Sequence, residues 1–83
     1  MNQNKAFTET LNLAHERGMD KLTWDDTSKD LSYAHLEDMA TRITDDFSEA
    51  KLGRWLGWAQ AAVVAAGLAT LDEMKEINLR NST

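Results

Sequence analysis

The stretch SEAKLGRWLGWAQAAVVAA, residues 48–66, decides the fold of this chain. Residues 44–48 supply several candidate N-caps, and Gly67 is suited to end a helix in the left-handed conformation. After Arg54, apolar residues occupy almost the whole circumference of such a helix, whereas a surface helix of a small domain keeps a wide polar face. The sequence therefore predicts a long apolar helix near 48–66 that is covered on more than one side.

Two stripes of residues run along this predicted helix. The first has the spacing of a core-facing stripe and comprises Leu52, Trp55, Leu56, Ala59, Val63 and Ala66. The second places a small residue at every fourth position and comprises Gly53, Gly57, Ala61 and Ala65. Glycine inside a helix costs about 1 kcal/mol relative to alanine, so we expect the second stripe to form a groove that a neighbouring helix approaches closely. The neighbour is either another helix of this chain or a second protein, including a second copy.

Trp58 lies beside this predicted groove and is the strongest candidate for an interface anchor, because tryptophan is enriched among binding hot spots. Burial in the monomer core is the alternative for Trp58, and it is the favoured interpretation for Trp55. Arg54 lies one turn before Trp58 and stacks on its ring, pairs with a carboxylate of another molecule, or is simply solvated. The predicted protein interface comprises Arg54, Gly57, Trp58, Ala61 and Ala65.

The N-terminal part of the chain is also predicted to be helical. Phe7 and Leu11 recur at helical spacing ahead of Gly18, which predicts a first helix over 5–17.

Three N-cap signals place the other helices. Thr23 and Asp26 resemble a capping box and predict a brief helix that ends near residue 30. Ser32 is the predicted cap of a helix that ends near residue 44. Thr70 and Glu73 form a full capping box for a last helix that ends at residue 79.

Composition sets the fold class. The 83 residues suffice for one hydrophobic core and not for two, and 42% apolar with 28% charged residues is typical of globular proteins. Proline, Asn-Gly and Asp-Gly pairs are absent, which argues against β-hairpins. We therefore expect a single all-α domain over 1–83, a small bundle of four to five helices.

Charge and residue types narrow the classes of partner. Nine lysines and arginines against 14 aspartates and glutamates give a net charge of −5, and the basic residues form no stripe, which argues against nucleic acid. The segment 55–71 is shorter than the roughly 20 apolar residues of a membrane span, so no membrane partner is expected. Residues 1–5 are polar and lack the features of a secretory signal, which predicts no export.

Motifs for catalysis or metal binding are not evident. His15 and His35 have no second histidine at ligand spacing, and the sequence contains no cysteine and no nucleophile or phosphate-loop motif. Acidic residues cluster near predicted helix starts, where the helix dipole stabilises them, or they imitate nucleic-acid phosphates in the basic groove of another protein. We expect no enzyme, no cofactor and no metal.

The C-terminal part of the chain carries a resemblance. The runs KLGRWLGWAQ (51–60), AAVVAAG (61–67) and TLDEMKEIN (70–78) resemble the C-terminal part of small uncharacterised proteins encoded by tailed bacteriophages and prophages. The most specific piece is RWLGW, residues 54–58, with Gln60 behind it. The resemblance implies a viral origin and action inside the infected cell, which places the protein in the host cytoplasm, and it assigns no site.

These observations predict a phage-encoded accessory protein that binds a host or phage protein stoichiometrically. The first hypothesis is that it docks on a host protein and modulates or inhibits it, with the predicted interface contacting the target or forming a homodimer. The second is a structural or assembly role in the virion. The third is a DNA-associated regulator, which requires a basic recognition helix that the sequence does not offer.

Overall fold

The structure is a computed structural model that describes residues 1–82. These residues form four α-helices, α1 (Gln3–Glu16), α2 (Tyr33–Arg42), α3 (Glu49–Ala65) and α4 (Leu71–Arg80). Two short 3-10 turns, Met19–Lys21 and Lys29–Leu31, lie between α1 and α2, and the described residues contain no strand. The prediction of an all-α helical bundle is confirmed.

Side-chain caps begin the helices at or near the predicted residues. Ser32 caps α2 by accepting a hydrogen bond from the backbone N–H of His35 at 3.2 Å. Ser48 caps α3 in the same way. Thr70 and Glu73 complete the predicted capping box of α4, with bonds of 3.0 and 3.1 Å. The start of α1 precedes the predicted residue because the side chain of Asn2 caps it.

The brief helix predicted from Thr23 to near residue 30 is not formed, and this part of the prediction is wrong. The carboxylate of Asp25 accepts hydrogen bonds from the backbone N–H and hydroxyl groups of Thr27 and Ser28, at 2.7–3.0 Å. These bonds lower the pKa of Asp25. A short acidic side chain that bonds its own following backbone stabilises a turn in competition with a helix. Only the 3-10 turn Lys29–Leu31 follows.

Glycines in the left-handed conformation end two of the helices, as predicted. Gly18 has a φ of +84° after α1, and Gly67 has a φ of +76° after α3. The N–H groups of Gly67 and Leu68 donate to the carbonyl groups of Val64 and Val63, which satisfies the last turn of α3.

Helix α1 lies at the centre of the bundle and contacts the other three helices. Its apolar side packs into a single core whose largest fully buried side chains include Phe7, Met19, Leu36, Met74 and Ile77. Met19 belongs to a 3-10 turn, where helical periodicity gives no signal. No helix within residues 1–82 has both the length and the apolar character required to cross a membrane.

A charged contact ties α1 to the start of α4. The guanidinium group of Arg17 donates to the carboxylate of Glu73 and to the backbone carbonyl of Leu68, each at 2.8 Å. The hydrogen bond from Arg17 and that from the backbone N–H of Thr70 lower the pKa of Glu73 from 4.5 to about 2. This contact fixes the turn between α3 and α4 against the end of α1.

Helix α3 is covered by the rest of the chain on one side only. Leu56, Ala59 and Val63 of the predicted core stripe are buried, whereas Leu52, Trp55 and Ala66 are half-buried. The other side of the helix is open to solvent. The expectation that α3 is covered on more than one side is therefore not met by residues 1–82 alone.

Candidate protein interface on α3

The five residues predicted as an interface lie together on the exposed side of α3. We call this surface the outer face, and it comprises Arg54, Gly57, Trp58, Ala61 and Ala65. A helix turns by about 100° per residue, so these positions fall on one side, opposite the buried Leu56 and Ala59. Trp58 is the largest of them and is 45% exposed. The geometry thus brings the predicted residues together on a solvent-facing surface.

The two glycines of α3 have different surroundings. A Cβ atom at Gly53 would lie 2.8 Å from Oε1 of Gln3, whose amide donates to the carbonyl of Glu49 at 3.0 Å. A Cβ atom at Gly57 would meet no atom within 4 Å outside its own stretch of helix. The internal neighbour considered from the sequence therefore exists only at Gly53, and it is a side chain and not a helix.

Trp58 is exposed yet held in place. Its indole N–H donates to the backbone carbonyl of Asp30, in the turn before α2, at 3.0 Å. This bond directs the ring towards α2, so Trp58 forms the α2 edge of the outer face and does not cover the small residues. A large aromatic ring with a fixed orientation loses little conformational freedom when a partner binds.

An open cleft of about 570 Å³ lies between α2 and α3. We call it the α2–α3 cleft, and its lining comprises His35, Asp38, Met39, Arg42, Arg54, Trp55 and Trp58. Arg42 pairs with Asp38 through Nε at 2.9 Å. Arg54 forms neither an ion pair nor a cation–π contact with any other residue of 1–82. Stacking on Trp58, one of the three alternatives considered for Arg54, is thus not seen, and the Arg54 charge is free to meet another molecule.

Trp55, which lines the α2–α3 cleft, packs against neighbouring residues of the chain. Trp55 packs edge-to-face against Phe47, with ring centroids 4.9 Å apart. The ammonium group of Lys51 lies 4.2 Å from the centroid of the Phe47 ring. These contacts hold the Trp55 ring against the loop that precedes α3 while leaving part of the ring accessible.

A second open groove, of about 520 Å³, lies between α3 and α4. We call it the α3–α4 groove, and its lining comprises Gly57, Gln60, Ala61, Val64, Ala65, Leu71 and Met74. It contains no charged residue. Leu71, the first residue of α4, is 61% exposed. The outer face is therefore bordered by a charged aromatic cleft on one side and an apolar groove on the other.

Gln60 forms hydrogen bonds inside the bundle and is not part of the exposed surface. Its amide group exchanges two hydrogen bonds with the amide of Asn78, at 2.8 and 3.1 Å, and donates to the hydroxyl of Thr10 at 3.2 Å. The residue is buried, and the three side chains join α1, α3 and α4. The signal in the sequence was one uncharged polar residue inside an apolar run, which indicates a buried hydrogen-bond partner.

The histidines do not form a metal site within the described residues. His15 lies 3.9 Å from Asp20, and His35 lies 3.9 Å from Asp30. No group of three histidine, aspartate or glutamate side chains among residues 1–82 is arranged to hold a metal ion. The outer face of α3 and its two flanks are consequently the surface of interest.

Comparison with known proteins adds no further assignment. No protein-family model, no curated protein and no solved structure matches this chain.

Proposed function

We propose that this chain is a phage-encoded accessory protein that binds another protein stoichiometrically through the outer face of α3. In this proposal it acts in the host cytoplasm, docks on a host protein and modulates or inhibits it, with no catalytic step of its own. The phage origin rests on the resemblance of residues 51–78.

The observation that carries the binding role is Gly57. It lies in the interior of α3 and has no positive φ that would demand glycine. No other part of the described chain approaches Gly57 so closely that only a residue without a side chain would fit there. Glycine at such a position costs about 1 kcal/mol of helix stability relative to alanine. Close approach of another molecule is the use that offsets this cost.

The surroundings of Gly57 support the same role. Ala61 and Ala65 continue a shallow surface along which a helix of a partner can settle. Trp58 projects at its edge, and burying one tryptophan removes about 150–250 Å² from water. Leu71 adds exposed apolar surface on the opposite edge. A flat centre with aromatic and aliphatic edges resembles the hydrophobic core of a protein interface.

The test is capture of the partner from a host lysate with the affinity-tagged chain and two variants. Trp58→Ala removes the exposed ring, and Lys5→Ala is the matched control on the solvent-facing side of α1. We expect one host protein in equimolar amount with the wild type and with Lys5→Ala. We expect the Trp58→Ala variant to lose it while remaining helical.

Two results would contradict this proposal. Recovery of phage capsid or tail components alone would support the virion-assembly role instead. Equal capture by the wild type and Trp58→Ala would show that binding does not use the outer face. A homodimer through this face is measured separately, as a second species in sedimentation of the purified chain.

A further inference from the structure

We infer that the α2–α3 cleft receives an acidic segment of the partner protein, in which one or two carboxylates adjoin a large apolar side chain. The inference rests on the proposed function and adds the chemistry of the partner. It is carried by the charge of the cleft, by the aromatic walls beside that charge, and by the acidity of the whole chain.

The charge of the cleft is opposite to that of the chain. Its lining holds two guanidinium groups, from Arg42 and Arg54, and one carboxylate, from Asp38. The full chain has a net charge of −5. A local positive site on an acidic protein is complementary to a carboxylate that comes close to it.

The two arginines have N–H donors that no other residue of the described chain uses. Arg42 uses its Nε to bind Asp38 at 2.9 Å, and a guanidinium group has five N–H donors in all. Arg54 has no ionic partner in residues 1–82 and lies exposed on α3. Arginine presents paired donors that match the two oxygens of a carboxylate. The cleft can therefore bind a carboxylate without breaking the Asp38–Arg42 pair.

The apolar part of the cleft is where the large apolar side chain of the partner segment would bind. Met39, Trp55 and Trp58 line the same space as the two arginines. The ring of Trp58 is fixed by its bond to Asp30, and that of Trp55 by its packing on Phe47. The volume of about 570 Å³ lies in the range of small-molecule pockets, which is ample for one aromatic or aliphatic side chain.

The small number of basic groups in the cleft and the net charge of the chain argue against a polyanion as the occupant. Nucleic acid presents a dense row of phosphates, and neutralising it requires many basic groups, whereas the cleft offers two. An extended acidic tract would be repelled by the other carboxylates of the chain. A segment with one or two carboxylates matches the number of available guanidinium groups.

The test uses a labelled peptide, Ser-Gly-Phe-Asp-Glu-Ser-Gly, and its neutral counterpart, Ser-Gly-Phe-Asn-Gln-Ser-Gly. Binding is followed by the NMR signals of the three indole N–H groups of Trp24, Trp55 and Trp58. We expect the acidic peptide to shift the signals of Trp55 and Trp58, and to bind about tenfold more tightly than the neutral one. Arg54→Ala should abolish this preference, and the control Lys75→Ala should keep it.

Three outcomes would overturn the inference. The first is equal binding of the two peptides, and the second is a shift confined to Trp24. The third is a set of Trp55 and Trp58 signals that move on dilution of the protein alone, which identifies a second copy as the occupant. These outcomes are independent of the proposed function, because host capture that depends on Trp58 and ignores Arg54→Ala leaves that function standing.

Discussion

The inner side of α3 and its outer face belong to one helix but differ in how far the rest of the chain covers them. On the inner side, Leu56 and Val63 are at most 4% exposed and pack into the core. On the outer face, Gly57 has no neighbour outside its own helix, and Trp58 is 45% exposed although it is among the largest side chains of the protein. The inner side of α3 therefore contributes to the core, whereas the outer face stays largely exposed and is the surface that we propose contacts another molecule.

The comparison explains why hydrophobicity alone misleads about this helix. After Arg54 the sequence is apolar on nearly every side, which predicted cover from more than one direction. The chain supplies cover from one direction only. Residue type does not separate the two sides either, since Ala59 and Ala62 are fully buried. Ala61 and Ala65 are exposed, so the position around the helix decides which alanines the chain covers.

The largest expected effect comes from the inner side. Leu56→Ala should lower the free energy of unfolding by about 2–5 kcal/mol, because it leaves a cavity in the core. Ala61→Gln on the outer face should change it by no more than about 0.5 kcal/mol. Denaturation by urea measures both. A comparable loss in the two variants would mean that the outer face is packed in the monomer.

The second-largest effect is expected for the hydrogen-bonded group of Thr10, Gln60 and Asn78. Gln60→Ala removes the partner of the half-buried Asn78 amide, and leaving that amide without its two hydrogen bonds should cost about 1–3 kcal/mol of unfolding free energy. The same urea titration serves here, and partner affinity should stay within about twofold of the wild type once the protein is folded. A selective loss of binding with unchanged stability would move Gln60 to the interface.

Gly57→Ala should raise the free energy of unfolding, in contrast to the two preceding substitutions. The new Cβ atom meets no atom within 4 Å outside its own stretch of helix, and alanine favours a helix over glycine, so the free energy of unfolding should rise by up to about 1 kcal/mol. Gly53→Ala is the matched control, because its Cβ would contact the side chain of Gln3. Thermal melts compare the two. A destabilised Gly57→Ala variant would reveal a contact at this position within the chain.

The smallest expected effect is on the stability of the fold at acidic pH. The pKa of Glu73 is lowered to about 2 in the folded chain, from an ordinary 4.5. The ionised carboxylate therefore stabilises the fold fully above pH 4.5, and this contribution is lost as the pH falls towards 2. Glu73→Gln should lose less stability than the wild type over that interval, as seen in urea titrations at several pH values. Parallel curves would show that the Arg17–Glu73 contact contributes nothing.

Much of the fold follows from local signals in the sequence. Caps at Ser32, Ser48 and Thr70 are decided by hydrogen bonds within a few residues, and the sequence contains all the groups involved. Thr23 and Asp26 have the spacing of a capping box, but the neighbouring Asp25 bonds to its own following backbone and forms a turn instead. Sequence spacing does not distinguish the two.

The sequence predicts which residues share the outer face, but it does not predict the contacts that surround them. Helical periodicity alone places Arg54, Gly57, Trp58, Ala61 and Ala65 on one side of α3. The bond from Trp58 to Asp30, the fit of Gln3 over Gly53 and the exposure of Leu71 depend on how distant segments pack. Those contacts join residues far apart in sequence, so no local pattern encodes them.

The most direct test of the outer face is the dissociation constant of the partner complex for Gly57→Leu relative to the wild type. Gly57 lines the open α3–α4 groove, and a Cβ atom there meets no neighbour within 4 Å outside its own stretch of helix, whereas a leucine side chain should block close approach of another molecule. We predict affinity weaker by about tenfold or more, with a free energy of unfolding that is unchanged or higher. Unchanged affinity in the folded variant would contradict the claim that the outer face of α3 is where this protein binds.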